Sequence, residues 1–309
     1  MKISVIIPLY NEQESLEPLT EKISEALSGP WASSYEVIFI NDGSTDDSMN
    51  ILRRLHEQDP ERIKVYAFGR NYGKSAALSA GIDKAEGDII VTMDADLQDD
   101  PGFIPEMRDK IINENWDVVS GWKKKRHDPL TKTVPSKLFN LVTGLLSGLR
   151  LHDFNCGFKA YTAQAASSLE IYGERHRYLP VMAKWNGYSV TEIPVTHHPR
   201  KYGKTKFGIN RFWNGLFDLM TLVFLRKYMA NPLHFFGIIG LVSGLTGTGI
   251  LAYFGYQWAV TGHLHIRPLI LFAVTGIILG IQFISIGLIG EMITGTSTSK
   301  RYSIKESLE

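Results

Sequence analysis

The sequence predicts an α/β fold with a mainly parallel sheet, followed by a hairpin of two membrane-crossing helices. Short, apolar, β-branched runs alternate with helix-length segments from residue 2 to residue 94, the pattern of βαβ units. Positions 1–227 carry 29 basic and 29 acidic residues, the balanced surface of a soluble domain. After Lys227 the chain has only four basic and three acidic residues, and two long stretches have none.

The strands come first. KISVIIP (2–8) is apolar and bounded by Pro8, and a helical pattern runs from Glu12 to about Leu27. YEVIFIND (35–42) is the second strand, followed by a helix near 46–58. IKVYAF (63–68), a helix near 74–85 and DIIVTMD (88–94) complete the series. Strands this apolar are covered on both faces. In such sheets ligands bind beyond the C-terminal strand ends. Pro8, Tyr10, Asn11 and Glu12 fall at the first end, Asn41 and Asp42 at the second. Gly69, Arg70, Asn71 and Lys74 follow the third, and Asp94 and Asp96 the fourth. A lone carboxylate after a strand is by default a helix cap, which is the reading for Asp46 and Asp100. No G-x-G-x-x-G follows the first strand and no Walker A sequence is present, which excludes an ordinary NAD fold and a P-loop NTPase.

Asp94-Ala95-Asp96 joins two hard oxygen ligands across a small residue, with Gln98 just beyond. Carboxylates suit Mg²⁺ or Mn²⁺, whose shells substrate phosphates commonly complete. Such a site holds a diphosphate and neutralises charge as it leaves.

VIIPLYNEQESL, INDGSTDDS, GRNYGKSAAL and MDADLQDDP, in that order, together resemble the inverting glycosyltransferases of family two, which have the GT-A fold. The resemblance covers nearly all of residues 1–230. With the C-terminal hairpin it narrows to the polyprenyl-phosphate hexosyltransferases, among them dolichol-phosphate mannose synthases and bactoprenol glucosyltransferases. It implies that Pro8, Tyr10, Glu12 and Asp42 hold the base and ribose of a sugar nucleotide. Arg70, Lys74 and Ala95 would shape the donor side. Asp94, Asp96 and Gln98 would serve the metal and diphosphate, with Asp96 also counted as catalytic.

HDFNCGFKAY (152–161) resembles the family's D-x-x-S-G-F motif. Asp153, Gly157 and Phe158 match, and Cys156 replaces serine. Asp153 is the catalytic candidate, either as general base or as a group that orients the acceptor. A lipid phosphate, with its second pKa near 6, attacks without giving a proton to the enzyme. Cys156 has no role as a nucleophile in an inverting mechanism. Arg200, Lys204 and Lys206 match the family's R-x-x-G-x-S-K pattern and would bind the lipid phosphate. GWKKKR (121–126) departs from the G-S-R of many relatives, with Trp122 read in the arginine's place and a substitute among Lys123 to Arg126 left open.

FFGIIGLVSGLTGTGILAYFGYQWAV (235–260) and the 23-residue run Pro268 to Gly290 each meet the need for about 20 apolar residues. Buried core helices are the competing reading. Arg226 and Lys227 before the first span, and Lys300, Arg301 and Lys305 after the second, place both flanks in the cytoplasm. The expected organisation is a cytoplasmic catalytic domain (1–230), two transmembrane helices (231–293) and a cytoplasmic tail (294–309). Amphipathic segments near 131–150 and 208–226 would lie in the membrane interface or in the core. A net charge of +1 gives no sign of a nucleic-acid partner, and one cysteine excludes an intrachain disulfide and fits a reducing compartment. The first apolar run, VII at 5–7, is too short for a signal peptide. Glycine-rich spans allow a homo-oligomer.

The expected activity is transfer of glucose from UDP-glucose to undecaprenyl phosphate. GDP-mannose-dependent synthesis of a polyprenyl- or dolichyl-phosphate mannose is the runner-up. A membrane-anchored sugar-nucleotide sensor is the non-enzyme alternative.

Overall fold

The structure, a computed structural model, describes residues 1–29, 34–124, 140–173, 175–198, 231–263 and 268–296, with Thr221 and Phe224. The chain divides into two compact units that part between Leu219 and Met220.

The first unit is built on one seven-stranded sheet. Its strands are β1 (Ile3–Leu9), β2 (Tyr35–Asn41), β3 (Ile63–Ala67), β4 (Ile89–Thr92), β5 (Val118–Lys123), β6 (Lys159–Thr162) and β7 (Val190–Val195). Their order is β3-β2-β1-β4-β6-β5-β7. All pairs are parallel except those of β6, which runs antiparallel to both β4 and β5. Helices α1 (Leu16–Ala26), α2 (Ser48–Gln58), α3 (Lys74–Lys84) and α4 (Ile104–Asn113) connect the first five strands. This is the mainly parallel sheet that the alternating pattern predicts.

Both faces of the sheet are covered, which is why the strands read as unbroken apolar runs. Ile3, Val5 and Ile7 of β1 share a core with Val37 and Phe39 of β2 and with Leu16, Leu19 and Ile23 of α1. The last three recur at helical spacing along one face. On the other face α3 packs against β1 and β2. At the N-terminal strand ends a charge network closes the sheet. Glu36, fully buried, pairs with Lys2 at 3.0 Å and Lys64 at 2.8 Å, and Glu86 pairs with the same two lysines.

Two helices start later than the spacing predicts. The segment expected to be helical from Glu12 turns helical at Leu16, because Ser15 donates its hydroxyl to the Glu12 carbonyl and closes a turn first. The helix expected from residue 46 starts at Ser48, since Asp46 accepts that residue's backbone N–H at 3.1 Å. Asp100 does cap its helical turn, accepting from the Gly102 N–H at 2.9 Å.

Residues 140–147 are helical. Leu141 and Leu145, placed on the apolar stripe, are 60 % and 76 % exposed, whereas Leu149 is buried. The stripe is therefore not a core face at those two leucines. Apart from Thr221 and Phe224, the segment 208–226 lies outside the described residues.

The second unit holds α5 (Pro232–Thr261) and α6 (Pro268–Thr296). Both are long and apolar enough to cross a membrane, and only 11 % of each apolar stretch is buried. That exposure rules out the core-helix reading. The two pack on each other through small residues. A Cβ on Gly240 would stand 2.6 Å from the Gly280 carbonyl, and one on Gly247 would stand 2.4 Å from the Ala273 carbonyl. Ser243 donates its hydroxyl to the Gly276 carbonyl at 2.9 Å. These glycines are thus engaged inside the chain. Near the far end of α6, Glu291 accepts the Leu233 N–H at 3.3 Å, one of the donors that a helix start leaves open.

Candidate active site

Strand order reverses between β1 and β4, so the crevice outside their C-terminal ends is where a ligand has room. Thr92, the last residue of β4, pairs with Ile6 of β1. Asp94 follows two residues further on, just past the end of the strand. Beyond Thr92 the chain keeps a two-residue alternation. Asp94, Asp96 and Gln98 are half-buried, while Ala95 and Leu97 sit in the core. Ala95, read as a spacer between carboxylates, is therefore a core residue that turns its neighbours outward. Leu97 has φ +59°, an uncommon value for a bulky side chain. Its burial holds it there. The turn closes as the Gln98 N–H donates to Asp96 Oδ1 at 3.2 Å.

The first two strand ends are stitched together. Asn11 accepts the Thr45 N–H at 2.8 Å and donates its own N–H to the Ser44 hydroxyl at 2.9 Å. The Glu12 N–H donates to the Ser48 hydroxyl at 3.2 Å. Tyr10 and Glu12 are half-buried within this turn. Asp42 accepts two backbone N–H groups, from Tyr72 at 2.7 Å and Gly73 at 2.9 Å. It anchors the loop that leads into α3. Gly43 makes that possible: with φ +71°, it lies where a Cβ would stand 2.5 Å from the Arg70 backbone. Arg70 is exposed, its guanidinium 4.7 Å from the Tyr72 ring.

The anchored loop delivers Lys74, the first residue of α3, to an ion pair with Asp94 Oδ1. Burial pushes the Asp94 carboxyl up, but Lys74, with Lys123 and His176 further off, outweighs it. The net effect holds the carboxyl well below the usual carboxylate range, so it is ionised at neutral pH. His176 reaches this corner through Ser75, whose hydroxyl lies 3.0 Å from its Nδ1.

A second charged pair stands behind the first. Lys123 Nζ lies 3.0 Å from Asp99 Oδ1, and Asp99 is 1 % exposed. Counted from Gly121, Lys123 and not Trp122 takes the place of the arginine in G-S-R, which corrects the sequence reading. Trp122 instead stacks on His152, with ring centroids 4.0 Å apart, and His152 in turn pairs with Glu192. Gln98 turns its amide toward the His197–His198 segment, donating to the His198 carbonyl at 3.3 Å.

Asp153 is 1 % exposed and accepts the Asn155 N–H at 3.1 Å, the loop-capping geometry of a short turn. Next to it, burial and the nearby Asp99 and Asp153 push the Cys156 thiol up to about 12, against the pull of Lys123 and Lys159. A thiol so placed stays protonated at neutral pH. Lys159 lies beneath this turn, 2 % exposed, and its ammonium donates to the Cys156 carbonyl. Burial is the main cause that lowers its pKa. Arg200, Lys204 and Lys206 lie outside the described residues.

The donor set fits a divalent cation. Asp94 and Asp96 offer hard carboxylate oxygens, which could hold such an ion, and Lys74 keeps the first ionised. Among the described residues no third His, Cys, Asp or Glu completes a cluster. This suits an ion that takes the rest of its shell from phosphate and water. Sequence reasoning missed Lys159 and His176 and left Lys123 unresolved. The one available signal was a lysine inside, or ending, an apolar strand: FKAY for Lys159 and VVSGWK for Lys123.

Known proteins resemble this chain in sequence and in fold. The model of Glycosyl transferase family 2 matches residues 4–169. The chain is 35 % identical over 300 residues to dodecaprenyl-phosphate galacturonate synthase of Rhizobium johnstonii, covering 96 % of this chain and 88 % of that one. It is 34 % identical over 299 residues to undecaprenyl-phosphate 4-deoxy-4-formamido-L-arabinose transferase of Klebsiella pneumoniae, covering 94 % and 88 %. Among solved structures, glucosyl-3-phosphoglycerate synthase of Mycobacterium tuberculosis with Mn²⁺ and UDP-glucose superposes with a TM-score of 0.52 at 19 % identity, covering 73 % of this chain and 78 % of that one. A mannosyltransferase of Pyrobaculum calidifontis with GDP-Man and Mn²⁺ gives 0.54 at 17 % identity, covering 97 % and 76 %. At those identities the two structures speak for the fold. The family match and the two relatives go further: this chain belongs to glycosyl transferase family 2.

Proposed function

We propose that this glycosyltransferase moves a sugar from a nucleotide diphosphate sugar to a polyprenyl phosphate at the cytoplasmic face of a membrane, with inversion at C1. The observation that carries this reading is the likeness to two relatives along nearly the whole chain, hairpin included. Both are named for a sugar joined to a polyprenyl phosphate. The two exposed apolar helices supply the anchor, and basic residues on both flanks favour cytoplasmic ends. The exposed Leu141 and Leu145 suit a helix that rests on lipid.

In this reading a phosphate oxygen of the lipid attacks C1 of the sugar. The bond from C1 to the diphosphate oxygen breaks, and the nucleoside diphosphate leaves with the electron pair. The acceptor is a dianion, so no proton has to pass to the protein. Asp153, buried and turned into its own loop, orients the acceptor turn. Asp94 and Asp96 would hold a divalent cation, which neutralises charge on the leaving diphosphate when bound. Lys74, paired with Asp94, would supply a positive charge to the diphosphate. Pro8, Tyr10, Glu12 and Asp42 line the nucleotide end. Arg200, Lys204 and Lys206 bind the lipid phosphate, a role taken from the family pattern.

UDP-glucose is the donor that the likeness to bactoprenol glucosyltransferases favours; the relatives above are named for galacturonate and formamido-arabinose. Purified full-length protein, undecaprenyl phosphate and Mg²⁺ or Mn²⁺ would be offered UDP-glucose, UDP-galacturonate, UDP-4-deoxy-4-formamido-L-arabinose and GDP-mannose in parallel. A glucolipid from UDP-glucose alone supports the full proposal. Product from another donor alone replaces the sugar and keeps the reaction.

A further inference from the structure

Under the proposed function, Asp94 belongs to the donor side and the 153–158 turn to the acceptor side. Three contacts join them. The Gly157 Cα packs on the Asp94 carboxylate so closely that a Cβ would stand 2.8 Å from each oxygen. The Thr92 hydroxyl, at the end of β4, donates to the Gly157 carbonyl at 2.9 Å. The Lys159 ammonium donates to the Cys156 carbonyl, one residue earlier. Lys159 and Thr92 are register partners across β4 and β6, so the two side chains hold adjacent carbonyls of one turn.

Stability does not explain a lysine at this position. It is 2 % exposed, and among the described residues its ammonium makes one hydrogen bond, to a neutral carbonyl. An ammonium has three donors, and burying one with so little return is unfavourable. Besides Cys156 and Lys74, its charge interacts with Asp153 and Asp94, one carboxylate from each side of the site.

We infer that Lys159 is a positioning residue that couples donor to acceptor. It holds the Cys156 carbonyl so that Gly157 stays seated on Asp94, and a nucleotide bound at Asp94 thereby orders the turn that meets the acceptor. The coupling is reciprocal, as any coupling of binding sites must be. The inference rests on the proposed function for the identity of the acceptor.

The test is hydrogen exchange on the full-length protein in detergent, with Mn²⁺ and either UDP or GDP, whichever raises the melting temperature. In the wild type, nucleotide should slow exchange of the 154–158 amides about tenfold, within the usual range of coupling between sites. Lys159→Met should abolish that slowing while nucleotide affinity stays within about threefold, and the KM for undecaprenyl phosphate should rise about tenfold at unchanged donor KM. Lys159→Arg should recover part of both. Slowing of wild-type size in Lys159→Met would overturn the inference, and so would a turn that never responds to bound nucleotide. A protein that binds neither nucleotide would overturn the proposed function itself. Should Lys159→Met not fold, Thr92→Val decides by the same two results.

Discussion

Gly157 and Asp94 are in contact so close that no side chain fits between them: a Cβ at 157 would stand 2.8 Å from both carboxylate oxygens. Gly157→Ala must therefore push Asp94 or its own turn aside. A displacement of about 1 Å at a reacting centre can cost about a hundredfold in rate. The expected result is a loss of that order in kcat with little change in melting temperature, read by transfer assay and by thermal unfolding side by side.

In the proposed reading, Lys74 and a cation compete for the Asp94 oxygen that Lys74 holds in this structure. Lys74→Met should strengthen Mn²⁺ binding to the protein without nucleotide several-fold and still lower kcat by about tenfold or more, since the diphosphate loses a counter-charge. Calorimetric titration with Mn²⁺ and a kinetic assay separate the two effects. Weaker Mn²⁺ binding in Lys74→Met would contradict the competition.

Glu36 links stability to pH. Burial raises its carboxyl, but Lys64, Ser4, the Glu86 backbone and Lys2 outweigh that and bring it from 4.5 down to about 2. Its folded-state pKa is depressed, so its contribution is fully present above pH 4.5 and is lost as pH falls toward 2. The displacement corresponds to about 3 kcal/mol at most. The melting temperature of the wild type should exceed that of Glu36→Gln at pH 6, and the gap should close between pH 4.5 and pH 2.

Gly247 faces the Ala273 carbonyl with no room for a methyl group. Gly247→Val should separate α5 from α6 and lower the melting temperature of the detergent-solubilised protein, while nucleotide affinity holds. The same substitution at Gly249, where a Cβ meets nothing within 4 Å, serves as the control and should change little.

Lys123 neutralises a carboxylate with almost no exposure. Breaking such a pair from one side costs about 3–5 kcal/mol, because the remaining charge stays buried. Lys123→Met should therefore destabilise strongly, and adding Asp99→Asn should restore most of the loss in a denaturant titration.

Apolar β-branched runs had one place to go, a sheet covered on both faces, so β1 to β4 were legible to within two residues. The hairpin was legible for a related reason, as soluble helices of that length rarely lack all charge. The carboxylates at 94 and 96 stood out because they end an apolar strand. Less visible was anything that depends on β6, which enters the sheet antiparallel between β4 and β5. Nothing in FKAY says which strands will flank it, so neither Lys159 under the turn nor Gly157 against Asp94 followed from spacing. Lys123 was hidden by its neighbours. In a run of three lysines each looks solvated, and only the end of β5 sets the first apart. The bonds from the Tyr72 and Gly73 amides to Asp42 also escaped, because they join residues about thirty positions apart.

The most direct measurement is mass spectrometry of the lipid after wild-type protein and Asp96→Ala are each incubated with undecaprenyl phosphate, Mn²⁺ and the four donors. The expected result is a lipid heavier by one sugar residue in the wild type, none in Asp96→Ala, and equal melting temperatures for the two proteins. A lipid of unchanged mass with every donor, from wild-type protein that still binds nucleotide, would contradict a polyprenyl phosphate acceptor. Equal product from Asp96→Ala would contradict the role given to the carboxylates at the end of β4.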